Sequence, residues 1–260
     1  MSTPELARSL AFLRAFARSQ AERVVDLPYG FGAFDDTFAH SYAHNKLHLE
    51  GPAGPEDVDA VFAAAGRAHR LVHVADPDLA ARVGPAFVDA GYEHSATVVM
   101  RHTGAAPDRP ADPTVVVDVV DVAARTEAAR REWRGEKPDA PDDVIEQLAG
   151  RGAATVRGAD RVLFLVARAP DGEVACRGDL YLDPATGVAQ IEDLMTLPAH
   201  TGRGYARALL ADGLSRAGAA GCDLVLLVAE EDDWPRELYA RLGYATIGRT
   251  HSYLRMPADS

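Results

Sequence analysis

The second half of the chain alternates between short apolar runs and longer amphipathic segments. Apolar, often β-branched runs predict strands, at residues 114–121, 162–168, 173–183, 188–197, 223–229 and 246–256. Segments with apolar residues on one helical face predict helices, at residues 122–137, 142–148, 202–221 and 235–244. The resulting order, β-α-α-β-β-β-α-β-α-β, predicts a mixed α/β domain.

A proline-rich segment separates this series from the first hundred residues. Residues 102–113 contain Pro107, Pro110 and Pro113. Because proline fixes φ and lacks an amide donor, we predict an extended linker here. The expected domains are therefore residues 1–101 and residues 114–257, joined by residues 102–113.

The first half repeats part of the second. Residues 69–76 (HRLVHVAD) parallel 223–230 (DLVLLVAE), residues 85–92 (PAFVDAGY) parallel 237–244 (ELYARLGY), and residues 93–101 parallel the closing strand. A single repeat with a period of about 150 residues indicates a duplicated domain and not a solenoid. We therefore expect an α/β fold with a mixed α+β sheet in each of two related domains, the N-terminal one partial.

Charge and composition exclude several classes of protein. The formal net charge of −12 argues against a nucleic-acid partner. It suits a cationic small molecule or peptide amine, although an acidic surface also serves solubility alone. No apolar run reaches the ~18–20 residues of a membrane span, and charged residues interrupt residues 1–20, so we expect a helix there and no targeting segment. The two cysteines, Cys176 and Cys222, lie in apolar runs, which favours the reducing cytoplasm.

Three histidines, His40, His44 and His48, recur every four residues. On a helix they would form a metal-binding face. Their segment is more typical of a loop followed by a strand, and no cysteine or acidic ligand completes the set. We expect no metal.

A glycine-rich turn lies between a strand and a helix at residues 197–210 (LPAHTGRGYARALL). Glycine lets the backbone approach a ligand closely, and a helix N-terminus presents unpaired amides with partial positive charge. Together they can bind a pyrophosphate. From these features alone, phosphate binding and a plain turn both remain open.

This segment resembles the acetyl-CoA loop of the GCN5-related N-acetyltransferases (GNAT), whose pattern is Arg/Gln-x-x-Gly-x-Gly/Ala. Here it reads Thr201-Gly202-Arg203-Gly204-Tyr205-Ala206, preceded by Leu194-x-Thr196-x-Pro198. Thr201 replaces the usual Arg or Gln, which implies weakened but retained binding. By this resemblance, the residues expected to bind acetyl-CoA are Leu194, Met195, Thr196, Leu197, Thr201, Gly202, Arg203, Gly204, Tyr205, Ala206 and Asp232.

Residues 238–244 (LYARLGY) resemble a second family motif, Leu-Tyr-x-x-x-Gly-Phe/Tyr. By that resemblance, Tyr239 lies near the acetyl-CoA sulfur and acts as the general acid for the thiolate. Asp232 and Pro235 stand where the family often has Asn and Ala. The resemblance covers the whole second half and implies a strongly bent mixed sheet whose fourth and fifth strands splay.

Two acidic residues precede the glycine loop, and either one is a candidate base for the acceptor amine. Glu192 and Asp193 are adjacent on a strand, so only one faces the cleft unless a bulge intervenes. We expect Glu192 to be the base and Asp193 to orient the amine or to serve in its place. The alternative for both is a charge that faces solvent.

The N-terminal copy lacks these features. Phe87 stands at the position of Tyr239, and the nearest glycines, Gly51 and Gly54, adjoin Pro52 and Pro55. Because a proline has no amide for a phosphate, we expect this copy to be inactive and to shape the acceptor cleft or an interface.

The sequence thus predicts a cytoplasmic N-acetyltransferase that transfers the acetyl group of acetyl-CoA by direct attack of a primary amine. The acceptor is a small molecule or a peptide. Both a monomer and a homodimer fit these features. The alternatives are a non-catalytic CoA-binding regulatory module and an interaction scaffold.

Overall fold

A computed structural model of the 260-residue chain describes residues 3–108 and 110–256. The helices formed in these ranges are α1 Pro4–Gln20, α2 Pro55–Ala64, α3 Pro77–Asp89, α4 Val122–Glu136, α5 Asp142–Gly150, α6 Gly152–Thr155, α7 Tyr205–Ala219 and α8 Pro235–Arg241. The strands are β1 Arg23–Leu27, β2 Gly30–Phe34, β3 Lys46–Leu49, β4 Arg70–Val74, β5 Glu93–His102, β6 Val117–Val120, β7 Arg161–Arg168, β8 Val174–Asp183, β9 Val188–Thr196, β10 Leu224–Glu230 and β11 Tyr244–Arg255.

All of these strands belong to one sheet, in the order β1-β2-β3-β4-β11-β5-β10-β9-β8-β7-β6. The pairs β3–β4 and β9–β10 are parallel. The other pairs are antiparallel. The predicted mixed α/β fold is therefore confirmed.

The closing strands of the two halves are exchanged within the sheet. Strand β5, from the first half, pairs with β10 so that Val99 lies opposite Val228. Strand β11, from the second half, pairs with β4 so that Tyr253 lies opposite Val72. Strands β5 and β11 also pair with each other, so the two halves share a continuous sheet.

The elements predicted in the second half are present, with shifted ends. Within residues 202–221, helix α7 begins at Tyr205, directly after the predicted glycine turn, in which Gly202 and Gly204 adopt left-handed φ values of +74° and +90°. The short helix α6 was not predicted. Within residues 102–113, the amide of Asp108 donates to the carbonyl of Arg241, so this segment is held against the end of α8.

Helix α1 comes from the first half but packs on strands of the second. The ring of Phe16 stacks on Tyr181 of β8, with 4.3 Å between centroids, and Phe12 joins the same cluster as Val188 and Leu226. Burying these apolar side chains ties the first helix to the sheet around β8–β10. None of the helices within residues 3–108 and 110–256 has the length and apolar character needed to cross a membrane.

Candidate functional site

Strands β9 and β10 separate after a short parallel pairing. They pair at three positions, ending with Leu226 opposite Gln190, and then diverge. The gap becomes a cleft of about 200 Å³. Its lining residues come from β9, β10, α7 and α8: Ile191, Glu192, Asp193, Leu194, Leu210, Leu227, Val228, Ala229, Glu230, Pro235 and Tyr239.

A β-bulge in β9 marks the point of separation. Asp179 of β8 lies opposite Glu192 and Arg177 lies opposite Met195, so three residue steps on β9 face two on β8. Asp193 in this bulge has a φ of +54°, and within the described ranges no other residue except glycine has a positive φ. A left-handed backbone costs an L-residue roughly 1–2 kcal/mol, so the surrounding contacts must hold it.

Three arginines hold the carboxylate of Asp193. It accepts hydrogen bonds from Arg125 at 2.6 Å, from Arg177 at 2.8 Å and from Arg151 at 3.1 Å. Burial alone would raise the pKa of Asp193, but the positive charges of Arg177, Arg151 and Arg125 outweigh burial and lower it. This carboxylate is therefore ionised and fully engaged with protein groups.

Two further acids balance the arginines. Asp179 lies 3.3 Å from Arg125, and Glu132 accepts hydrogen bonds of 2.7 and 2.8 Å from Arg177. Buried charges are tolerated when they are paired and hydrogen-bonded in this way. Helix α4, strand β8 and the bulge of β9 are thereby joined in one ionic network.

Glu192 precedes the bulge and lies deep in the cleft. Its carboxylate accepts a hydrogen bond from the amide of Gln190, which lies two residues earlier on the same face of β9. Burial, followed by the negative charge of Asp193, raises the pKa of Glu192 from its ordinary 4.5 to about 7. A carboxyl group with this pKa exchanges a proton readily at neutral pH.

Tyr239 reaches the same cleft from helix α8. Its side chain is buried, and burial followed by the charge of Glu192 raises the pKa of the phenol to about 12. The phenol therefore keeps its proton at neutral pH and can donate it. Glu192 and Tyr239 thus supply a proton acceptor and a proton donor to one cleft.

The glycine loop after β9 leaves open space in front of the α7 N-terminus. A Cβ built on Gly202 or on Gly204 would meet no heavy atom within 4 Å. Helix α7 has no acidic residue in its first turn, and within residues 3–108 and 110–256 no side chain caps it by a hydrogen bond at its N-terminus. The hydroxyl of Thr201 donates to the carbonyl of Pro198 at 3.0 Å and closes the preceding turn. This arrangement fits a pyrophosphate.

The other residues predicted to bind the cofactor are not all brought to the cleft. Leu194 lines it, whereas Met195 and Leu197 line a second cavity of about 230 Å³ beside Arg177. Thr196 contacts the thiol of Cys176 at 3.4 Å. Asp232 is exposed in the connection between β10 and α8 and does not line the cleft.

The corresponding helix of the first half, α2, is arranged differently. Pro55 occupies its first turn, and the carboxylate of Asp57 accepts a 2.9 Å hydrogen bond from the amide of Gly54. A carboxylate of the protein itself thus binds an amide at the N-terminus of α2, whereas α7 has no acidic residue in its first turn. Phe87 is fully buried and stacks on Tyr253, so it is a core residue.

The described ranges contain no group of three or more His, Cys, Asp or Glu side chains placed to hold a metal ion. Of the three histidines, His44 lies in a 3₁₀ turn and His48 lies in β3. Cys176 and Cys222 are buried free thiols.

Sequence reasoning did not identify the groups that support Glu192. Gln190 was identifiable, because it shares a strand face with Glu192. Arg125, Arg151 and Arg177 come from separate elements, and no local pattern distinguishes them from surface arginines.

Comparisons with known proteins agree with this geometry. Residues 123–244 match the Acetyltransferase (GNAT) family. The chain is similar to a GCN5-related N-acetyltransferase from Kribbella flavida, with a TM-score of 0.65 and 21% identity over 100% of this chain and 97% of that chain. It is also similar to a functionally unknown conserved protein from Staphylococcus epidermidis ATCC 12228, with a TM-score of 0.66 and 12% identity over 92% of this chain and 95% of that chain.

A GCN5-related N-acetyltransferase from Sphaerobacter thermophilus gives a TM-score of 0.54 and 15% identity over 89% of this chain and 78% of that chain. At such identities, likeness to solved structures shows the fold alone. No curated protein matches the chain. The family match spans the splayed strands, the glycine loop and Tyr239, and it shows that residues 123–244 form an acetyltransferase domain of the GNAT family, which uses acyl-CoA as its cosubstrate.

Proposed function

We propose that this domain transfers the acetyl group of acetyl-CoA to a primary amine of a small molecule or peptide. The observation that carries the proposal is the meeting of Glu192 and Tyr239 in the cleft between β9 and β10. One group can take a proton at neutral pH and the other can give one. Direct transfer to an amine requires both of these proton movements.

Residues around the open loop would hold the cosubstrate. The backbone amides at Gly202, Gly204 and the start of α7 would bind the pyrophosphate. The edge of β9 that β10 leaves unpaired offers backbone hydrogen bonds to an extended arm, as an added strand would use. When bound, acetyl-CoA supplies an activated thioester.

Glu192 prepares the acceptor. An ammonium group has no lone pair, so a base must remove a proton before the nitrogen can attack. The raised pKa of Glu192 allows this transfer at neutral pH, whereas an ordinary exposed glutamate would be a weaker base. The hydrogen bond from Gln190 fixes the direction of the carboxylate.

Tyr239 serves the leaving group. Its phenol stays protonated to about pH 12 and can donate a proton to sulfur as the bond to the acetyl carbon breaks. Asp193 is predicted from the sequence to orient the amine. Because its carboxylate is occupied by three arginines, we propose instead that it fixes the bulge beside Glu192.

A non-catalytic CoA-binding module is the second candidate. It is favoured by Thr201, whose hydroxyl serves its own loop and replaces a long polar side chain. The two functions are separated by measuring thiol release from acetyl-CoA with and without a panel of primary amines. Amine-dependent release above hydrolysis supports transfer, whereas binding of acetyl-CoA without such release supports the module.

A further inference from the structure

Helix α1 contacts strand residues of both halves of the chain. On one side, the guanidinium of Arg18 lies 4.7 Å from the centre of the Phe31 ring, which stacks on His48 of β3 at 4.5 Å. On the other side, Phe16 stacks on Tyr181 of β8. The strand faces that carry His48 and Tyr181 therefore both turn towards α1.

Lys46 and Glu192 lie on these two faces. Lys46 is two residues from His48 on β3, and side chains two apart share a strand face. Gln190 lies opposite Tyr181 in the β8–β9 pair, so Gln190 and Glu192 share the face that turns towards α1. Lys46, from the first half, and Glu192, from the second, thus both lie on strand faces that turn towards α1.

The two charges act on each other without touching. Burial lowers the pKa of Lys46, and the carboxylate of Glu192 acts in the opposite direction. In turn, the positive charge of Lys46 acts to lower the pKa of Glu192. Within residues 3–108 and 110–256, however, Lys46 forms no direct ion pair. Both side chains are partly exposed.

Unpaired polar atoms lie beside both groups. The side-chain oxygen of Gln190 and the Nε2 atom of His48 are buried and have no hydrogen-bond partner in the described part of the chain. Both residues are more than nine-tenths buried. A buried polar atom without a partner costs about 1–3 kcal/mol, so a ligand that satisfies it gains that amount.

The other cations near Glu192 are already neutralised. Arg125, Arg151 and Arg177 all contact the carboxylate of Asp193. Lys46 is therefore the cation best placed to receive an anionic group of a ligand whose amine approaches Glu192.

We propose that Lys46 and Glu192 are the two ends of an acceptor subsite for a zwitterion, an amino acid or related amino carboxylate. The amine binds at Glu192 and the side-chain oxygen of Gln190, and the carboxylate binds at Lys46. The inference rests on the proposed transferase function and names its acceptor class. It assigns the first half a direct part in recognition. A purely cationic acceptor, which the net charge of −12 suggests, would be repelled by Lys46.

The test uses the full chain, acetyl-CoA and matched acceptors that differ by one carboxylate. Suitable pairs are phenylalanine with phenethylamine, tryptophan with tryptamine, and lysine with cadaverine. Thiol release gives kcat and KM for each compound. We expect at least one amino acid to be acetylated with a kcat/KM about 10–100-fold above that of its partner, the range for a hydrogen-bonded charge pair.

Substitutions assign the preference to Lys46. Lys46→Met is expected to raise the KM of the amino acid about 10–100-fold and to lower the KM of its partner amine, because the substitution removes the charge that repels a cation. Lys46→Arg is expected to retain most of the preference. The chain has one other lysine, exposed Lys137, so Lys137→Met is the matched control and is expected to change nothing. Thermal unfolding establishes that each variant is folded.

Three results would overturn the zwitterion subsite. They are equal turnover of both members of every pair, an equal effect of Lys46→Met on both members, and acetylation of the partner amines with no turnover of any amino acid. A chain that fails to bind acetyl-CoA, or that binds it and acetylates neither an amino acid nor an amine, would instead remove the proposed function itself, so the two failures are distinguishable.

Discussion

The carboxylate of Asp193 lies 2.6 Å from the guanidinium of Arg125, and this contact joins the bulge of β9 to helix α4. Asp193 carries a left-handed backbone at the place where β9 leaves β10. A strained residue persists only where its surroundings hold it. We infer that the arginines around Asp193 maintain both the opening of the cleft and the position of Glu192.

Replacing Asp193 with Asn tests this role. Asn tolerates the left-handed backbone, so the change removes mainly the charge. Because Arg125, Arg177 and Arg151 lose their shared counter-ion, we expect the free energy of unfolding to fall by about 3–5 kcal/mol in denaturant titrations. The acid limb of the pH–rate profile is also expected to move to lower pH, since Asp193 raises the pKa of Glu192.

Glu146→Gln is the matched control for this charge removal. Glu146 also binds an arginine, Arg130, at 2.6 and 2.8 Å, but both side chains are exposed. Exposed ion pairs contribute little to stability, so no measurable change is expected. Equal effects of the two substitutions would contradict a special role for the buried network.

Glu192→Gln removes the proposed base. We expect kcat/KM to fall about 10²–10⁴-fold while the affinity for acetyl-CoA is unchanged. Glu192 is protonated below its pKa of about 7, so the activity of the unaltered enzyme is expected to decrease as the pH falls through 7. The residual activity of the variant should not show this decrease near pH 7. If the decrease persists in the variant, a group other than Glu192 causes it.

Tyr239→Phe removes one hydroxyl and keeps the ring in its buried position. A general acid makes its contribution in the transition state, so kcat is expected to fall about 10²–10⁴-fold with little change in the affinity for acetyl-CoA. Calorimetry and steady-state kinetics on the same preparation separate the two quantities. An unchanged kcat would show that the phenol serves packing alone.

Gly204→Ala tests the open loop, and Gly172→Ala is its matched control. Both glycines have similar left-handed backbones, with φ values of +90° and +88°, and a Cβ would have room at each. The strain is therefore similar, roughly 1–2 kcal/mol, and both variants should unfold at similarly lowered temperatures. Only Gly204→Ala is expected to weaken acetyl-CoA binding, since Gly172 lies in the turn between β7 and β8. Equal binding by both variants would place the pyrophosphate elsewhere.

Much of the second half could be predicted from its sequence because the signals are local. Strand and helix periodicity, the glycines at 202 and 204, and the motif around Tyr239 all act within a few residues. From the sequence, a bulge at Glu192 and Asp193 was one of two possibilities, the other being a regular strand, because the geometry of a bulge depends on the partner strand.

The rest depends on contacts between residues far apart in the chain. Arg125 and Asp193 are 68 positions apart, and no short pattern links them. The exchange of β5 and β11, and the placement of Lys46 and Glu192 on strand faces that both turn towards α1, arise from the pairing of whole strands. Such pairings are set by the total burial of the sheet and not by any one segment.

Calorimetric titration of the full chain with acetyl-CoA tests the central claim most directly. The account predicts saturable binding of one equivalent per chain, since the N-terminus of α7 is open whereas that of α2 carries Asp57. Binding should be weakened in Gly204→Ala and retained in Glu192→Gln. No binding at millimolar acetyl-CoA, or two equivalents per chain, would contradict the account.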